Sequence, residues 1–259
     1  MSEFLLVHGS CHGAWCWHRV VPALEAFGHR ARAIDLPGHG RDHTSPRDVT
    51  LQRYAAAICG AVTGPTIVVG HSMAGYPITA AAEADPTQIA ALVYLCAYVP
   101  VSGLTLGDMR RAGPRQPLTP AIRVDKAQGT FHFDPAQTDA LFYHDCDRAA
   151  QVLAQLCLTP QPIVPQETPL DLTPRSQSLT RHYIRCTDDR AIPPEYQKVM
   201  AQSVPEANHS TLSASHSPFF ACPEALARRL HSIAQQTQAS QQTQASQQTQ
   251  ATQQTQATQ

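Results

Sequence analysis

A serine hydroxyl attacks a carbonyl only where a tight turn displays it and a base can take its proton. Gly70-His71-Ser72-Met73-Ala74-Gly75 has the makings of such a turn. It follows the apolar run Thr66-Ile67-Val68-Val69 and precedes a segment that reads as helix, so Ser72 stands at a strand-to-helix elbow. The usual spacing is G-x-S-x-G; here Ala74 takes the second glycine position and Gly75 follows it. Alanine leaves room for strand and helix to approach but accepts a positive φ poorly. Ordinary turns also favour serine, so the assignment depends on partners for Ser72.

An elbow of this kind calls for an acid and then a histidine later in the chain. Both are present. Thr180-Arg181-His182-Tyr183-Ile184-Arg185-Cys186 alternates as a strand does and runs into Asp188-Asp189. An aspartate just past a strand end can fix the tautomer of an imidazole, or it can merely cap the next helix. The histidine is His216, in the polar loop Ser213-Ala214-Ser215-His216-Ser217-Pro218 ahead of a helical stretch at 223–234. Loops held on a rigid sheet are the expected carriers of such side chains.

The elements that would position these groups alternate between strand and helix, as a mostly parallel sheet flanked by helices requires. Glu3-Phe4-Leu5-Leu6-Val7 opens the pattern, and a helix is expected over 17–27, a strand over 30–35, a helix over 51–62, the elbow strand over 66–70, a helix over 75–84 and a strand over 90–95. The alternation breaks between 101 and 178, where proline is frequent. That interval reads as a cap inserted between core segments 1–100 and 179–234. One helix is evident inside it, with Asp134 as N-cap and Pro135 in the first turn. Phe131, Phe133, Phe142 and Tyr143 in the cap, with Trp15 near the first loop, are candidates to line an apolar substrate pocket. Residues 235–259 repeat Gln, Thr, Ala and Ser without a large apolar or charged side chain, which predicts a disordered tail.

Val7-His8-Gly9-Ser10-Cys11-His12-Gly13-Ala14-Trp15, the elbow, the Asp189 segment and the His216 loop together resemble the methylesterase and hydroxynitrile lyase branch of the α/β-hydrolase superfamily, with its bacterial esterase relatives. The resemblance spans about residues 3–234. It implies an α/β-hydrolase fold that begins at what is the third strand of larger relatives. It also favours Asp189 over Asp188, because the family places its acid eight residues before a glutamine, here Gln197. The oxyanion hole of the superfamily uses two backbone N–H groups, which fall on Ser10 and Met73. Lyases of this branch carry a threonine after the first histidine of the opening loop and a lysine after the catalytic histidine. Those places are Gly9 and Ser217, so the apparatus for releasing cyanide is missing.

The function that follows is a serine-dependent carboxylic ester hydrolase acting on small methyl or aromatic esters through an acyl-enzyme. The alternatives are a receptor-like relative with slow turnover and a biosynthetic methylesterase acting on a larger scaffold. No cofactor is implied. Thirteen histidines raise the question of a metal. His8 and His12 lack the glutamate of an H-E-x-x-H helix, and around His39 and His43 glycines replace the first two histidines of a metallo-hydrolase box. No metal is expected.

Composition agrees with one catalytic domain for a small-molecule ester. The chain has 259 residues, 42% of them hydrophobic, enough for a single α/β core. A formal charge of -1 with no basic stripe argues against nucleic acid as a partner. No apolar run approaches the roughly 20 residues that span a bilayer, and the eight cysteines are scattered without a CxxC pair. A cytoplasmic protein without a membrane partner is expected, and a homodimer is compatible with the composition.

Overall fold

In a computed structural model, which describes residues 1–257 and the side chains of 1–243, the chain forms a six-stranded sheet covered by helices on both faces. Its strands are β1 (Glu3–Val7), β2 (Arg30–Ile34), β3 (Thr66–His71), β4 (Ile89–Leu95), and, after the cap, two more at Arg181–Cys186 and His209–Leu212. The cap itself contains β5 (Ile122–Asp125), β6 (Thr130–Phe133) and β7 (Gln161–Pro162), so the last two core strands are β8 and β9. The main sheet runs β2-β1-β3-β4-β8-β9, and every pairing in it is parallel. β3 is buried along its whole length, as a central parallel strand must be, and its neighbours β1 and β4 are nearly so.

Strand alternation sends side chains to two separate cores. Phe4, Leu6, Ile67, Val69 and Val93 face one side, where α1 (Val20–Glu25) meets the long final helix. Leu5, Val7, Val68 and Leu92 face the other, against α2 (Leu51–Ala61) and α3 (Gly75–Ala84). Thr50 caps α2 by accepting from the Arg53 N–H.

The expected helix over 17–27 is instead a 3-10 turn, Ala14–Trp17, followed by the short α1. Pro22 explains the break: it has no N–H to give to His18, and its ring tolerates only the first turn of a helix.

The cap between β4 and β8 holds α4 (Leu106–Ala112), α5 (Pro135–Phe142), α6 (Arg148–Cys157) and α7 (Pro174–Gln177), together with the small antiparallel sheet β5-β6-β7. Asp134 caps α5 as expected, accepting from the Ala136 N–H. The small sheet is additional to the sequence expectation. Beyond β8 the chain adds α8 (Pro194–Ala201), α9 (Pro218–Ala221) and α10 (Pro223–Ala257).

Of the repeat tail at 235–259, the described part continues α10 to Ala257, and residues 258–259 lie outside the described residues. Glutamine and alanine are good helix formers, and a helix already anchored by Leu226, Leu230 and Ile233 extends without a new nucleus. The start of the repeat is also tied down: Thr237 is buried, and the Gln238 amide donates to the Met1 carbonyl and to Ser2 Oγ. Among the described residues no helix is long and apolar enough to cross a membrane.

Candidate active site

The sheet carries the site on its C-terminal edge, where the strands of open α/β sheets present their loops. Ser72 follows β3 with φ +56°, a left-handed conformation that lifts its side chain out of the turn. Such a conformation costs about 1–3 kcal/mol, so its surroundings must hold it. Tyr98 donates its N–H to the Ser72 carbonyl at 3.1 Å, pinning the elbow to the chain that leaves β4. A β-carbon on Gly75 would collide with the Tyr98 carbonyl oxygen, so this contact requires glycine. Ala74 has φ −64° and needs no left-handed freedom, which is why alanine is accepted there. The glycine that the elbow cannot lose is therefore one residue further on than the usual spacing puts it.

His216 Nε2 lies 2.9 Å from Ser72 Oγ, and His216 Nδ1 lies 2.7 Å from Asp189 Oδ2. The three side chains come from the loops after β3, β8 and β9. All three residues are nearly sealed from solvent. Asp189 also accepts from the N–H groups of Ala191 and Ile192 at Oδ1, at 2.7 and 2.9 Å, and from Gln197 Nε2 at Oδ2, at 2.8 Å. Gln197 is itself locked, since its Oε1 accepts from the Cys186 N–H and its Nε2 donates to the Ile192 carbonyl. Eight residues separate acid and glutamine because α8 folds back over the end of β8. Asp188 points elsewhere and accepts from Ser213 Oγ and Thr187 Oγ1.

His71 holds the other side of His216. Its Nε2–H donates to the His216 carbonyl at 2.7 Å, and Cys96 Sγ approaches the same oxygen at 3.7 Å. Burial holds the His71 imidazole well below its ordinary pKa, with His216 nearby adding to the effect. His71, Cys96 and His216 are the one group of His and Cys side chains close enough together to hold a metal among the described residues.

The loop after β1 brings Ser10 to the same cavity as Ser72 and Met73. A β-carbon on Gly9 would fall 2.7 Å from His71 Nδ1 and 3.0 Å from Ser72 Cβ, so glycine allows the loop to lie against the elbow. Two histidines then brace the loop. His8 Nδ1–H donates to the Gly9 carbonyl while its Nε2 accepts from the Leu36 N–H. His12 Nδ1–H donates to the Ser10 carbonyl while its Nε2 accepts from the Tyr143 hydroxyl at 2.7 Å. Burial pushes these imidazoles down, to about 4 for His8 and about 3 for His12, so both are neutral at pH 7. With both nitrogens of each ring engaged, neither offers a lone pair to a metal.

A narrow cavity opens above Ser72. Phe131, Phe133 and Phe142 line it. Tyr143 and Trp15 do not. Tyr143 is fully buried and directs its hydroxyl to His12, so it supports the loop rather than facing substrate. Trp15 stacks between His12 and Phe220, at centroid distances of 5.4 and 6.0 Å, and borders a different cleft with Asp35 and Arg41. Sequence reasoning missed Tyr98, Arg110 and Gln166 on the cavity wall. Gln166 Nε2 donates to Ser10 Oγ at 2.8 Å, a contact across 156 positions that no local pattern signals.

The model of the alpha/beta hydrolase family matches residues 4–229. Methylesterase 7 of Arabidopsis thaliana is 30% identical over 91% of this chain and 97% of its own length. A pyrethroid hydrolase of Sphingobium wenxiniae is 31% identical over 90% of this chain and 88% of its own. Among solved structures, a pyrethroid hydrolase from Sphingobium faniae superposes with a TM-score of 0.81 at 28% identity, covering 92% of this chain and 98% of that one. With the parallel sheet, the elbow after β3 and the family match over most of its length, this chain belongs to the alpha/beta hydrolase family.

Proposed function

We propose that Ser72, His216 and Asp189 hydrolyse a carboxylic ester through an acyl-enzyme. The observation that carries this reading is the buried relay from Ser72 Oγ to His216 Nε2 at 2.9 Å and from His216 Nδ1 to Asp189 Oδ2 at 2.7 Å. The chain is a carboxylic ester hydrolase, in keeping with methylesterases and a pyrethroid hydrolase among its relatives. Ser72 Oγ attacks the ester carbonyl carbon as His216 Nε2 takes its proton, and Asp189 holds the imidazolium in place. The N–H groups of Met73 and Ser10 receive the oxyanion. His216 then gives its proton to the departing alcohol. A water, deprotonated by His216 in turn, attacks the acyl group and frees Ser72 as the acid product leaves.

The apolar wall of Phe131, Phe133, Phe142, Leu106 and Ile122 suits small methyl or aromatic esters. Cyanohydrin cleavage is disfavoured on two grounds. The β-carbon of a threonine at position 9 would meet His71, and Ser217 offers no cation beside His216. We also assign the chain to the cytoplasm, in support of which its eight cysteines are all unpaired, as a reducing compartment would leave them.

The test is a panel of short-chain and aromatic methyl esters assayed beside cyanide release from mandelonitrile. Ester turnover without cyanide release is expected. Cyanide release faster than turnover of every ester would assign the site to lyase chemistry.

A further inference from the structure

The wall of the active-site cavity contains one arginine and no lysine among the described residues. That arginine is Arg110, half-buried on α4. Its guanidinium has no ion pair or hydrogen bond among the described residues. Other arginines nearby take up the acidic groups: Arg111 pairs with Asp108 and Glu167, and Arg115 makes a two-point pair with Glu195. The Tyr98 hydroxyl is likewise without a partner among the described residues, although Tyr98 is only 5% exposed. Tyr98 and Arg110 both line the active-site cavity and a second cleft that adjoins it. Both therefore stand in the partition between the two, on the wall of the cavity that holds Ser72.

A guanidinium in this position has a chemical consequence. Leu106, Leu118, Ile122 and the three phenylalanines make the rest of the substrate-facing wall largely apolar. A neutral ester that filled the cavity would strip water from Arg110 and return nothing to its N–H groups, which is unfavourable. A carboxylate would return two parallel charge-assisted hydrogen bonds, the geometry a guanidinium fork suits best. The Tyr98 hydroxyl, on the same wall, can add a third donor.

We propose that Arg110, with Tyr98, receives a free carboxylate carried by the substrate, so that the preferred substrate is a half-ester whose carboxylate lies away from the scissile carbonyl. The proposal rests on the ester-hydrolase reading of Ser72 and deepens it by naming the substrate class. Chemistry at Ser72 is unchanged: the half-ester yields an alcohol and a dicarboxylate.

The experiment compares monomethyl esters of linear dicarboxylic acids of increasing length with methyl esters of equal length that end in a carboxamide. The readout is the ratio of kcat/KM for the charged ester to that for its neutral match, in wild type, Arg110→Met and Arg110→Lys. Wild type should favour the charged ester by about tenfold or more at its best length, and added salt should shrink the preference because the guanidinium is partly exposed. In Arg110→Met the ratio should fall to about one, and Arg110→Lys, a point charge without the fork, should keep part of it. A purely structural role for Arg110 would lower both rates together and leave the ratio alone. That result, or a wild-type ratio near one at every length, would overturn the proposal. Calorimetry of the half-ester with Ser72→Ala, with and without Arg110→Met, separates the two readings. Binding that depends on Arg110 without turnover in wild type would keep the carboxylate site and overturn the hydrolase, whereas turnover with an unchanged ratio would do the reverse.

Discussion

His71, the residue immediately before Ser72, donates its Nε2–H to the carbonyl of His216 across 2.7 Å. Strand β3 thus presents Ser72 and also holds the backbone of the residue that faces it. Replacing His71 by leucine removes this bond and should lower kcat by about 10- to 100-fold, the usual penalty for a misplaced catalytic group, with a smaller change in KM. His71→Gln keeps an N–H donor and should recover part of the loss. Steady-state kinetics of the two variants, with circular dichroism to verify folding, check this; equal losses in both would deny the bond its positioning role.

The two neighbouring aspartates should separate cleanly. Asp189 accepts from His216, Gln197 and two backbone N–H groups, whereas Asp188 meets only Ser213 and Thr187. Asp189→Asn should reduce kcat by about 10⁴-fold, because an amide N–H can face the imidazole and favour the wrong tautomer. Asp188→Asn should stay within about threefold of wild type, as exposed substitutions of small effect do. The reverse order of losses would move the acid to Asp188.

Elbow packing makes a prediction about stability. Gly75→Ala drives a β-carbon into the Tyr98 carbonyl and should destabilise the fold by about 2 kcal/mol or more. Ala74→Gly, at a position of ordinary helical φ, should cost about 1 kcal/mol at most through the helix propensity of glycine. Denaturant titration of both variants measures the difference, and comparable midpoints would show that the elbow is free to shift.

Buried histidines set an acid limit on stability. Burial holds His8 and His182 at about 4 and His12 at about 3, and it keeps His39 and His71 well below the ordinary value of 6.5. Below pH 6.5 the unfolded chain takes up protons that the folded chain refuses, so stability must fall as pH drops from about 6.5 towards 4. Above pH 6.5 both states are neutral at these sites and the contribution is complete. Thermal melts between pH 7.5 and 4.5 should show a steadily falling Tm. A flat Tm across that window would mean that these rings are not buried as neutral groups.

The elbow, the order of serine, acid and histidine, and the main strands were legible in the sequence because each is a local pattern: an apolar run, small residues around Ser72, a polar loop around His216. Asp189 was singled out only through family spacing, and the Gln197 side chain that donates to it gives that spacing a physical reason. What local pattern could not reveal are contacts between distant segments. Tyr143 looks like a pocket residue until His12, 131 positions away, claims its hydroxyl. The small cap sheet was hidden because β7 is two residues long and ends in Pro162. The tail's composition carries no information about an anchored helix upstream or about Gln238 meeting the N-terminus.

The most direct test of the account is rapid-quench peptide mapping of the protein mixed with an activated aryl ester. An acyl group on the peptide that contains Ser72, formed and lost at rates that match turnover and absent in Ser72→Ala, is the predicted result. Turnover with no acylated Ser72, or an acyl group carried elsewhere while Ser72→Ala remains within tenfold of wild type, would contradict it.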